Sequence, residues 1–314
     1  MKKSDKIFIV TDKKIIGANL LGYFKKKGFK NIFGDSTSGV NVLNKTSLYS
    51  FFKKVRPDYV FLTSVASGGI LANMNSPAEL ISQNLKAQIN VIEASSRFRV
   101  KKLIFFASSC IYPKALPQPM REEYLLKGEI EQTSLPYAIS KICGIVMCQA
   151  YNRQYDLNYL CIVPATVFGP HDDFDLKTSH VGASLIRKFY QAKVKGKKEV
   201  IVWGKGVAKR EFIYIDDLIL ACIFLLRHCR DSEIINVGSG QEISIRKLAF
   251  TIKKVSGFKG RVVFDSSRPE GVYRKLLDSS KIRKLGWRPK FTLEEGIRRT
   301  LNWYKALNRK ADAV

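Results

Sequence analysis

The sequence predicts an α/β fold, in which a doubly wound parallel sheet is followed by a smaller carboxyl-terminal α/β lobe. Strand-like apolar runs alternate with helix-like stretches through the first two-thirds of the 314 residues. This order is typical of a parallel sheet with helices on both faces. The length allows one large core or two lobes, and a hydrophobic content of 46% excludes a disordered chain.

The individual elements follow in order from these patterns. The first strand is predicted at residues 6–10, and the helix at 15–27 ends at Gly28, since glycine commonly follows a helix. We expect one domain at 1–170 and a second at 171–314, with parts of about 200–240 packing back onto the first. The remaining predicted elements are strands at 31–33, 59–64, 102–108 and 159–164, helices at 77–97 and 134–155, short strands at 200–203, 234–237 and 261–264, and a helix at 217–230.

Several features indicate a cytoplasmic protein. The apolar run at residues 7–10 follows two lysines, but it is far too short for the core of a signal peptide. The longest apolar runs also fall well below the roughly 18 residues that a membrane span needs. The six cysteines form no Cys-x-x-Cys pair, so we expect no metal site and a reduced compartment.

The chain is strongly basic, with a formal net charge of +27. Such a charge attracts anions of any kind, including nucleic acid, anionic membranes and phosphorylated metabolites. The lysines are nevertheless scattered in short clusters, such as residues 25–27 and 253–254, without the interleaved aromatic residues of a single-strand binder. We interpret the charge as a solvated basic surface and expect no specific nucleic-acid partner.

Five side chains form the candidate reactive group. Ser108 and Cys110 follow an apolar strand and are spaced to share one face. Tyr137 and Lys141 are four residues apart on a predicted helix, so both point the same way. A Ser, Tyr and Lys group handles a proton at a carbinol or carbonyl carbon. Cys110 and His180 could move protons at neighbouring carbons, which favours a sugar-modifying enzyme over a plain dehydrogenase.

The chain resembles the extended short-chain dehydrogenase/reductase family and, within it, the branch of GDP-L-fucose synthases. The resemblance runs almost end to end. The segments at 108–113 (Ser-Ser-Cys-Ile-Tyr-Pro) and 179–181 (Ser-His-Val) are specific to this branch, whereas the Tyr137/Lys141 pair is shared across the superfamily. Further matching segments lie at 67–73, 151–155, 168–172, 202–204, 210–212, 236–240, 259–265 and 274–278.

The resemblance implies a bifunctional 3,5-epimerase and 4-reductase of nucleotide-sugar biosynthesis. Tyr137 would donate a proton to the C4 oxygen, Lys141 would hold the cofactor ribose and lower the Tyr137 pKa, and Ser108 would hydrogen-bond the same oxygen. Cys110 would remove the protons at C3 and C5 as a base, and His180 would protonate the opposite face.

The resemblance also implies an NADP(H) cofactor, a GDP-sugar substrate and a homodimer. Residues 1–170 would then bind the dinucleotide in a Rossmann domain, and residues 171–314 would bind the sugar nucleotide. The implied cofactor ligands are Thr11, Lys14, Gly17, Asp35, Thr37, Lys141, Pro164, Val167 and His180. Four of the five implied substrate ligands are cationic, as a diphosphate requires. These five are Lys188, Trp203, Arg210, Arg261 and Lys275.

The predicted cofactor turn departs from the family's Gly-x-x-Gly-x-x-Gly pattern. Residues 11–17 read Thr-Asp-Lys-Lys-Ile-Ile-Gly, so only the last glycine remains and Lys14 stands where backbone should approach the pyrophosphate. Thr37 takes the place of the arginine expected at a 2′-phosphate, and Asp35 favours a ribose hydroxyl, which leaves NAD(H) as an alternative. Either Lys14 compensates by contacting the pyrophosphate, or the reductase half has decayed.

The sequence therefore favours NADP(H)-dependent epimerisation and reduction of a GDP-4-keto-6-deoxy-hexose. One alternative is an epimerase or C4 reductase that acts on a related GDP-sugar, such as a heptose, with a degenerate cofactor site. Another is a non-catalytic module that senses a dinucleotide or binds an anionic partner. Cys110 and His180 argue against the module, and the altered cofactor turn argues against the full enzyme.

Overall fold

The computed structural model describes residues 1–11, 13–229, 234–268 and 272–311. No helix in these ranges is both long and apolar enough to cross a membrane. The strands of the described chain are, in order, β1 (Ile7–Val10), β2 (Ile32–Gly34), β3 (Tyr59–Leu62), β4 (Lys102–Phe106), β5 (Tyr159–Pro164), β6 (Thr166–Phe168), β7 (Glu199–Trp203), β8 (Lys209–Tyr214), β9 (Ile234–Val237), β10 (Glu242–Ser244), β11 (Arg261–Asp265) and β12 (Arg274–Lys275).

The helices connect these strands and cover the sheets. Short 3-10 turns lie at Ser109–Ile111, Glu122–Tyr124 and Gln132–Ser134. The α-helices are α1 (Ile15–Lys26), α2 (Lys45–Val55), α3 (Ile70–Asn75), α4 (Pro77–Arg97), α5 (Leu135–Tyr155), α6 (Val181–Val194), α7 (Ile215–His228), α8 (Ile245–Ser256), α9 (Ser280–Lys284) and α10 (Leu293–Ala311).

The main sheet is parallel and six-stranded, in the order β2-β1-β3-β4-β5-β9. Phe8 of β1 lies opposite Phe33 of β2 on one side and Val60 of β3 on the other. The chain thus leaves β1 in one direction and returns to its other side, which places a topological switch point between β1 and β3. This arrangement confirms the predicted doubly wound parallel sheet.

The smaller elements lie around β8, which pairs with β6, β10 and β12, while β7 and β11 form a separate parallel pair. β6, β8, β10 and β12 are two to six residues long and carry polar residues, so their apolar patterns are too short to read from sequence, whereas β7 and β11 agree with the strands predicted at 200–203 and 261–264. β9 joins the main sheet although it follows the elements of the second predicted domain. The domain boundary at residue 170 stays a prediction.

Most element predictions agree with the structure within a few residues. The strand predicted at 102–108 ends at Phe106, because Ser108 caps the next 3-10 turn instead of extending β4. The helix predicted at 217–230 spans Ile215–His228, and Arg230 lies outside the described residues. The sequence did not predict α2, although Asn44 caps its first turn by accepting a hydrogen bond from the Ser47 backbone.

The position of α5 is set by its close packing on β4. Pro136 lies in its first turn, where a missing backbone N–H costs nothing. Gly144 lies two turns after Tyr137, and a Cβ at Gly144 would overlap the ring of Phe105. The lack of a side chain therefore lets α5 approach β4 closely, which carries Tyr137 and Lys141 toward the end of that strand.

Candidate functional site

The candidate site lies at the carboxyl edge of the main sheet, where β3, β4 and α5 meet. Ser108 follows β4 in extended conformation, and its hydroxyl accepts a hydrogen bond from the Cys110 backbone at 3.5 Å. This turn folds Cys110 back beneath the edge, where the residue is buried. Parallel α/β sheets bind their ligands at this edge.

The Tyr137 hydroxyl contacts a residue that sequence reasoning missed. Its oxygen lies 2.9 Å from the hydroxyl of Ser64, which follows β3. Burial raises the pKa of Tyr137, the nearby Cys110 adds to the rise, and the Ser64 hydrogen bond lowers it. The lowering expected from Lys141 is not found, and desolvation of the phenolate dominates. Tyr137 carries its proton at neutral pH, as a proton donor should.

Lys141 is fully buried beside Tyr137. Its ammonium donates a hydrogen bond to the backbone oxygen of Phe106 at 2.9 Å and lies 5.8 Å from the centre of the Tyr137 ring. Burial lowers the pKa of Lys141 to about 7, Cys110 opposes this shift, and Lys14 adds to it. The pKa of Lys141 is thereby brought close to neutral pH, so small changes in nearby charge can alter its protonation state.

Cys110 lies among the same charged groups. Burial raises the pKa of its thiol, whereas Lys275, the Ser108 hydrogen bond and Lys141 lower it, in that order of size. Two ammonium groups thus partly offset the cost of a buried thiolate. The structure brings Ser108, Cys110, Tyr137 and Lys141 together, as the sequence predicted.

His180 stands at the start of α6 (Val181–Val194), as its N-cap residue. His180 is exposed to solvent. Desolvation by the surrounding protein nevertheless lowers the pKa of its imidazole, and the Asp173 carboxylate opposes this fall without reversing it. No hydrogen bond links its ring to Cys110 in the described part of the chain. The lowered pKa makes the protonated imidazole a stronger acid, which suits it to give up a proton.

The cofactor turn holds Thr11 in an unusual conformation. Its φ of 61° lies in the left-handed region, where glycine is favoured, and its buried hydroxyl contacts the hydroxyl of Thr63. The Thr63 hydroxyl also lies 2.8 Å from the Val10 backbone oxygen, so the turn is tied to both β1 and β3. The backbone keeps the shape of a glycine turn although Thr11 replaces the glycine.

Lys14 lies across the switch point between β1 and β3. It directly precedes α1, whose first turn has no acidic residue, and its ammonium donates to the Val65 backbone oxygen at 2.7 Å. Burial lowers the pKa of Lys14, while Asp173 and Asp35 raise it. A helix N-terminus with an adjacent cation is a favourable place for phosphate. These residues therefore fit the pyrophosphate of a dinucleotide.

The other predicted cofactor positions border this edge. Asp35 and Thr37 lie in the turn after β2: Asp35 accepts from the Ser36 backbone at 3.0 Å, and Thr37 accepts from the Gly34 backbone at 3.1 Å. The remaining three lie on neighbouring elements. They are Gly17 of α1, Pro164 at the end of β5 and Val167 of β6.

We predict that Lys14→Gly weakens NADPH binding about tenfold or more. The glycine lets the backbone approach the pyrophosphate more closely, but this does not compensate for the loss of the Lys14 ammonium. A tenfold weaker dissociation constant corresponds to about 1.4 kcal/mol. Titration of NADPH fluorescence measures the change, and Lys13→Gly, which removes an exposed lysine next to it, is the matched control. Tighter binding by Lys14→Gly would show that the missing glycine matters more than the ammonium.

Two of the predicted substrate residues form a cationic aromatic cluster with a third residue. The Lys188 ammonium lies 5.5 Å from the centre of the Trp203 ring, and the Arg268 guanidinium lies 5.4 Å from it. Trp203 is 40% exposed, so its ring remains available. An aromatic face between two cations suits a planar base that carries a diphosphate. Sequence reasoning missed Arg268, which the β7/β11 register brings to Trp203 through Asp265.

The structure does not bring Arg261 to this cluster. Arg261 lies opposite Glu199 at the other end of the β7/β11 pair and forms an ion pair with it at 3.3 Å. Glu199 and Trp203 are four positions apart along the strand, a distance of about 13 Å. Arg210 and Lys275 instead lie opposite each other in β8 and β12, on the side of Cys110.

The chain matches a known protein family over most of its length. The NAD dependent epimerase/dehydratase family matches residues 14–238. This segment includes the four residues gathered at the sheet edge and His180.

Comparison with individual proteins extends the similarity to nearly the whole chain. GDP-L-fucose synthase 1 of Arabidopsis thaliana is 43% identical over 302 residues, 96% of this chain and 94% of that protein. GDP-L-fucose synthase of Escherichia coli K12 is 40% identical over 308 residues, 95% of this chain and 96% of that protein. A solved structure of the GDP-mannoheptose C4 reductase MlghC from Campylobacter jejuni, with NADP bound, has a TM-score of 0.89 and 35% identity, covering 97% of this chain and 99% of that one.

Proposed function

The chain belongs to the NAD dependent epimerase/dehydratase family and is similar over its whole length to the GDP-L-fucose synthases, and on this premise we propose its reaction. It epimerises C3 and C5 of a GDP-4-keto-6-deoxy-hexose and then reduces C4 with NADP(H). One structural feature favours this over plain reduction: Cys110 lies buried in the turn that begins at Ser108, at the sheet edge where Tyr137 and Lys141 also lie. Reduction at C4 needs no thiol there.

Epimerisation begins with removal of a proton next to the 4-keto group. Cys110 as thiolate takes the proton from C3 or C5, and the electron pair moves onto the C4 oxygen as an enolate. Tyr137 and Ser108 donate hydrogen bonds to that oxygen as its negative charge develops. His180, as the protonated imidazolium, returns a proton to the opposite face of the carbon. Cys110 ends protonated and His180 deprotonated, so both exchange protons with solvent before the next cycle.

Reduction uses the same C4 oxygen. The nicotinamide, when bound at this edge, supplies the hydride for C4. Tyr137 gives its proton to the C4 oxygen, and Ser64 holds the phenol hydroxyl toward the site through its 2.9 Å hydrogen bond. Lys141 sits beneath the ring, and its ammonium stabilises the phenolate that remains.

The ligands divide between the two ends of the cleft. Lys14 and the N-terminus of α1 hold the dinucleotide pyrophosphate, and NADP(H) is the cofactor, in keeping with the NADP-bound structural relative. Trp203 stacks with the guanine nucleotide between Lys188 and Arg268. This division is supported by the placement of cations at both ends of the site.

We also propose a cytoplasmic homodimer. α4 and α5 pack side by side, and three large apolar side chains on them are exposed. These are Ile89, Val146 and Tyr155. Apolar groups concentrated on two neighbouring helices suit association with a second copy.

The reaction is tested with purified protein and GDP-4-keto-6-deoxymannose in deuterated water. We expect deuterium at C3 and C5 without NADPH, and a reduced, epimerised GDP-sugar when NADPH is added, both followed by mass spectrometry and NMR. Reduction without deuterium incorporation would instead favour a C4 reductase, the activity named for the Campylobacter relative. Neither exchange nor NADPH oxidation would contradict the proposal.

A further inference from the structure

The turn that carries Cys110 is only loosely closed by its own backbone. It is a 3-10 turn of three residues. Ile111 donates its backbone N–H to the Ser108 oxygen at 3.1 Å, but the backbone nitrogen of Tyr112 lies 3.5 Å from the Ser109 oxygen. The backbone nitrogen of Cys110 is also 3.5 Å from the Ser108 hydroxyl. Since N–H···O bonds usually measure about 2.9–3.0 Å, a further contact is needed to fix the thiol.

The side chain of Tyr112 supplies a shorter contact. Tyr112 is 2% exposed, and its hydroxyl donates a hydrogen bond to the side-chain oxygen of Asn236 at 2.7 Å. Burial raises the pKa of Tyr112, Glu122 adds to the rise, and the Asn236 hydrogen bond opposes it. The phenol therefore keeps its proton at neutral pH and acts as the donor. Because Asn236 lies on β9, the bond joins the turn after β4 to another strand of the main sheet.

The orientation of the Asn236 side chain is fixed by its other partners. Its amide nitrogen donates to the backbone oxygens of Met120 and Asp278 at 3.0 and 3.2 Å. A backbone oxygen can only accept, so the nitrogen faces these two atoms and the side-chain oxygen faces Tyr112. Asn236 is fully buried, and a partner lost there leaves a buried polar atom unsatisfied.

The segment after β12 gives this network a fixed point of attachment. Met120 donates its backbone N–H to the Leu276 oxygen at 2.7 Å, and Asp278 donates to the Met120 oxygen at 2.8 Å. β12 directly precedes this segment and carries Lys275, one of the predicted substrate residues. Asn236 therefore connects the thiol-bearing turn to the strand that carries Lys275.

We propose that Tyr112 is a positioning residue for Cys110: its hydroxyl, bonded to Asn236, holds the thiol at a set distance from β12. The link itself is a property of the free protein, whereas its effect on epimerisation rests on the proposed function. The thiol must reach C3 and C5 of a sugar whose diphosphate is bound at β12, so a displaced turn slows proton removal.

Ser108 depends less on this link. It directly follows Ala107, whose backbone N–H donates to the Ile162 oxygen of β5 at 2.8 Å. The end of β4 is thus held by the main sheet. Loss of the Tyr112 hydroxyl should therefore affect proton removal by Cys110 more than the hydrogen bond from Ser108 to the C4 oxygen.

Tyr112→Phe tests the link with substrate, because it removes the hydroxyl and keeps the buried ring. We expect the kcat of deuterium incorporation at C3 and C5 to fall about tenfold, since a small misplacement of a reacting group is costly, while KM for the 4-keto sugar stays within about twofold. With NADPH present, a larger share of the reduced sugar should be unepimerised. The matched control is Tyr159→Phe. Tyr159 is a buried tyrosine of β5 whose hydroxyl has no hydrogen-bond partner in the described chain, so this variant should keep both constants.

A second measurement needs no substrate. Amide hydrogen exchange followed by mass spectrometry should show deuterium uptake at residues 108–112 about fivefold faster in Tyr112→Phe, the effect of losing one hydrogen bond of ordinary strength. Uptake at residues 276–278 and in α8 should not change, because both keep their own hydrogen bonds. This pattern separates a local link from a general loosening of the fold.

Four outcomes overturn the inference. Unchanged uptake at residues 108–112 in Tyr112→Phe would show that the hydroxyl does not hold the turn, and an unchanged kcat would show that the turn does not control proton removal. A rise in KM without a fall in kcat would give Tyr112 a role in binding instead. Faster uptake in α8 as well, or loss of the fold, would make Tyr112 a structural residue. If the unmodified protein shows no deuterium exchange at C3 or C5, the proposed function fails, while amide exchange still decides the link.

Discussion

Tyr137→Phe is expected to reduce NADPH oxidation with GDP-4-keto-6-deoxymannose by about 10²–10⁴-fold, the usual contribution of a general acid. The substitution removes the phenol hydroxyl and leaves the ring, so packing against Lys141 persists. Binding of the GDP-sugar should remain within about twofold, because the proposed nucleotide contacts lie at Trp203 and do not include the Tyr137 hydroxyl. Absorbance of NADPH under saturating substrate measures the rate, and isothermal titration with GDP measures binding.

The control for this loss lies on the same helix. Tyr151 is a half-buried tyrosine of α5 whose ring packs on Tyr155, and its phenol takes no part in the candidate site. Tyr151→Phe should therefore keep nearly the full rate. Ser64→Ala should give an intermediate loss, because it removes the only hydrogen bond that orients the Tyr137 hydroxyl within the described chain. A Tyr137→Phe enzyme with more than half the normal rate would remove Tyr137 from the mechanism.

The main sheet could be predicted from sequence because its strands are buried on both faces. β1, β4 and β5 are almost entirely apolar, and such runs between helix-like segments leave few alternatives. The sheet order follows from chain connectivity, and the position of the site follows from the sheet. The family was also predicted correctly from short motifs, as the match at residues 14–238 confirms.

The contacts inside the site depend on distant parts of the chain and could not be predicted. Ser64 reaches Tyr137 across 73 positions, and Lys275 lies opposite Arg210 only because β12 pairs with β8. The two-residue β12 has no apolar pattern of its own. Arg268 reaches Trp203 through the pairing of β7 and β11, a register that no local signal specifies.

Charge states were the other feature that sequence could not provide. The pattern placed Lys141 beside Tyr137 and suggested a lowered phenol pKa, but the depth of burial decides the direction. Complete burial of Lys141 lowers its own pKa to about 7 and so weakens the charge that would act on Tyr137. Burial of an ionisable group depends on packing from all sides, which a spacing rule does not describe.

Cys110→Ser is expected to slow deuterium incorporation at C3 and C5 of the 4-keto sugar by at least about 10²-fold. The hydroxyl nearly keeps the shape of the thiol, but it is barely ionised at neutral pH even next to a cation, whereas a thiol can ionise. Tyr137 and Lys141 are unchanged, so slow reduction of the unepimerised 4-keto sugar should persist. Proton NMR in deuterated water follows exchange at each carbon, and NADPH absorbance follows reduction in the same sample.

The separation of the two activities is what makes Cys110→Ser decisive. Loss of both exchange and reduction would indicate general damage to the site. The control is Cys143→Ser, which replaces an exposed cysteine on the helix that carries Tyr137. Loss of exchange alone assigns proton abstraction to the thiol, because no other group changes. Undiminished exchange at both carbons would make Cys110 a packing residue beneath β4.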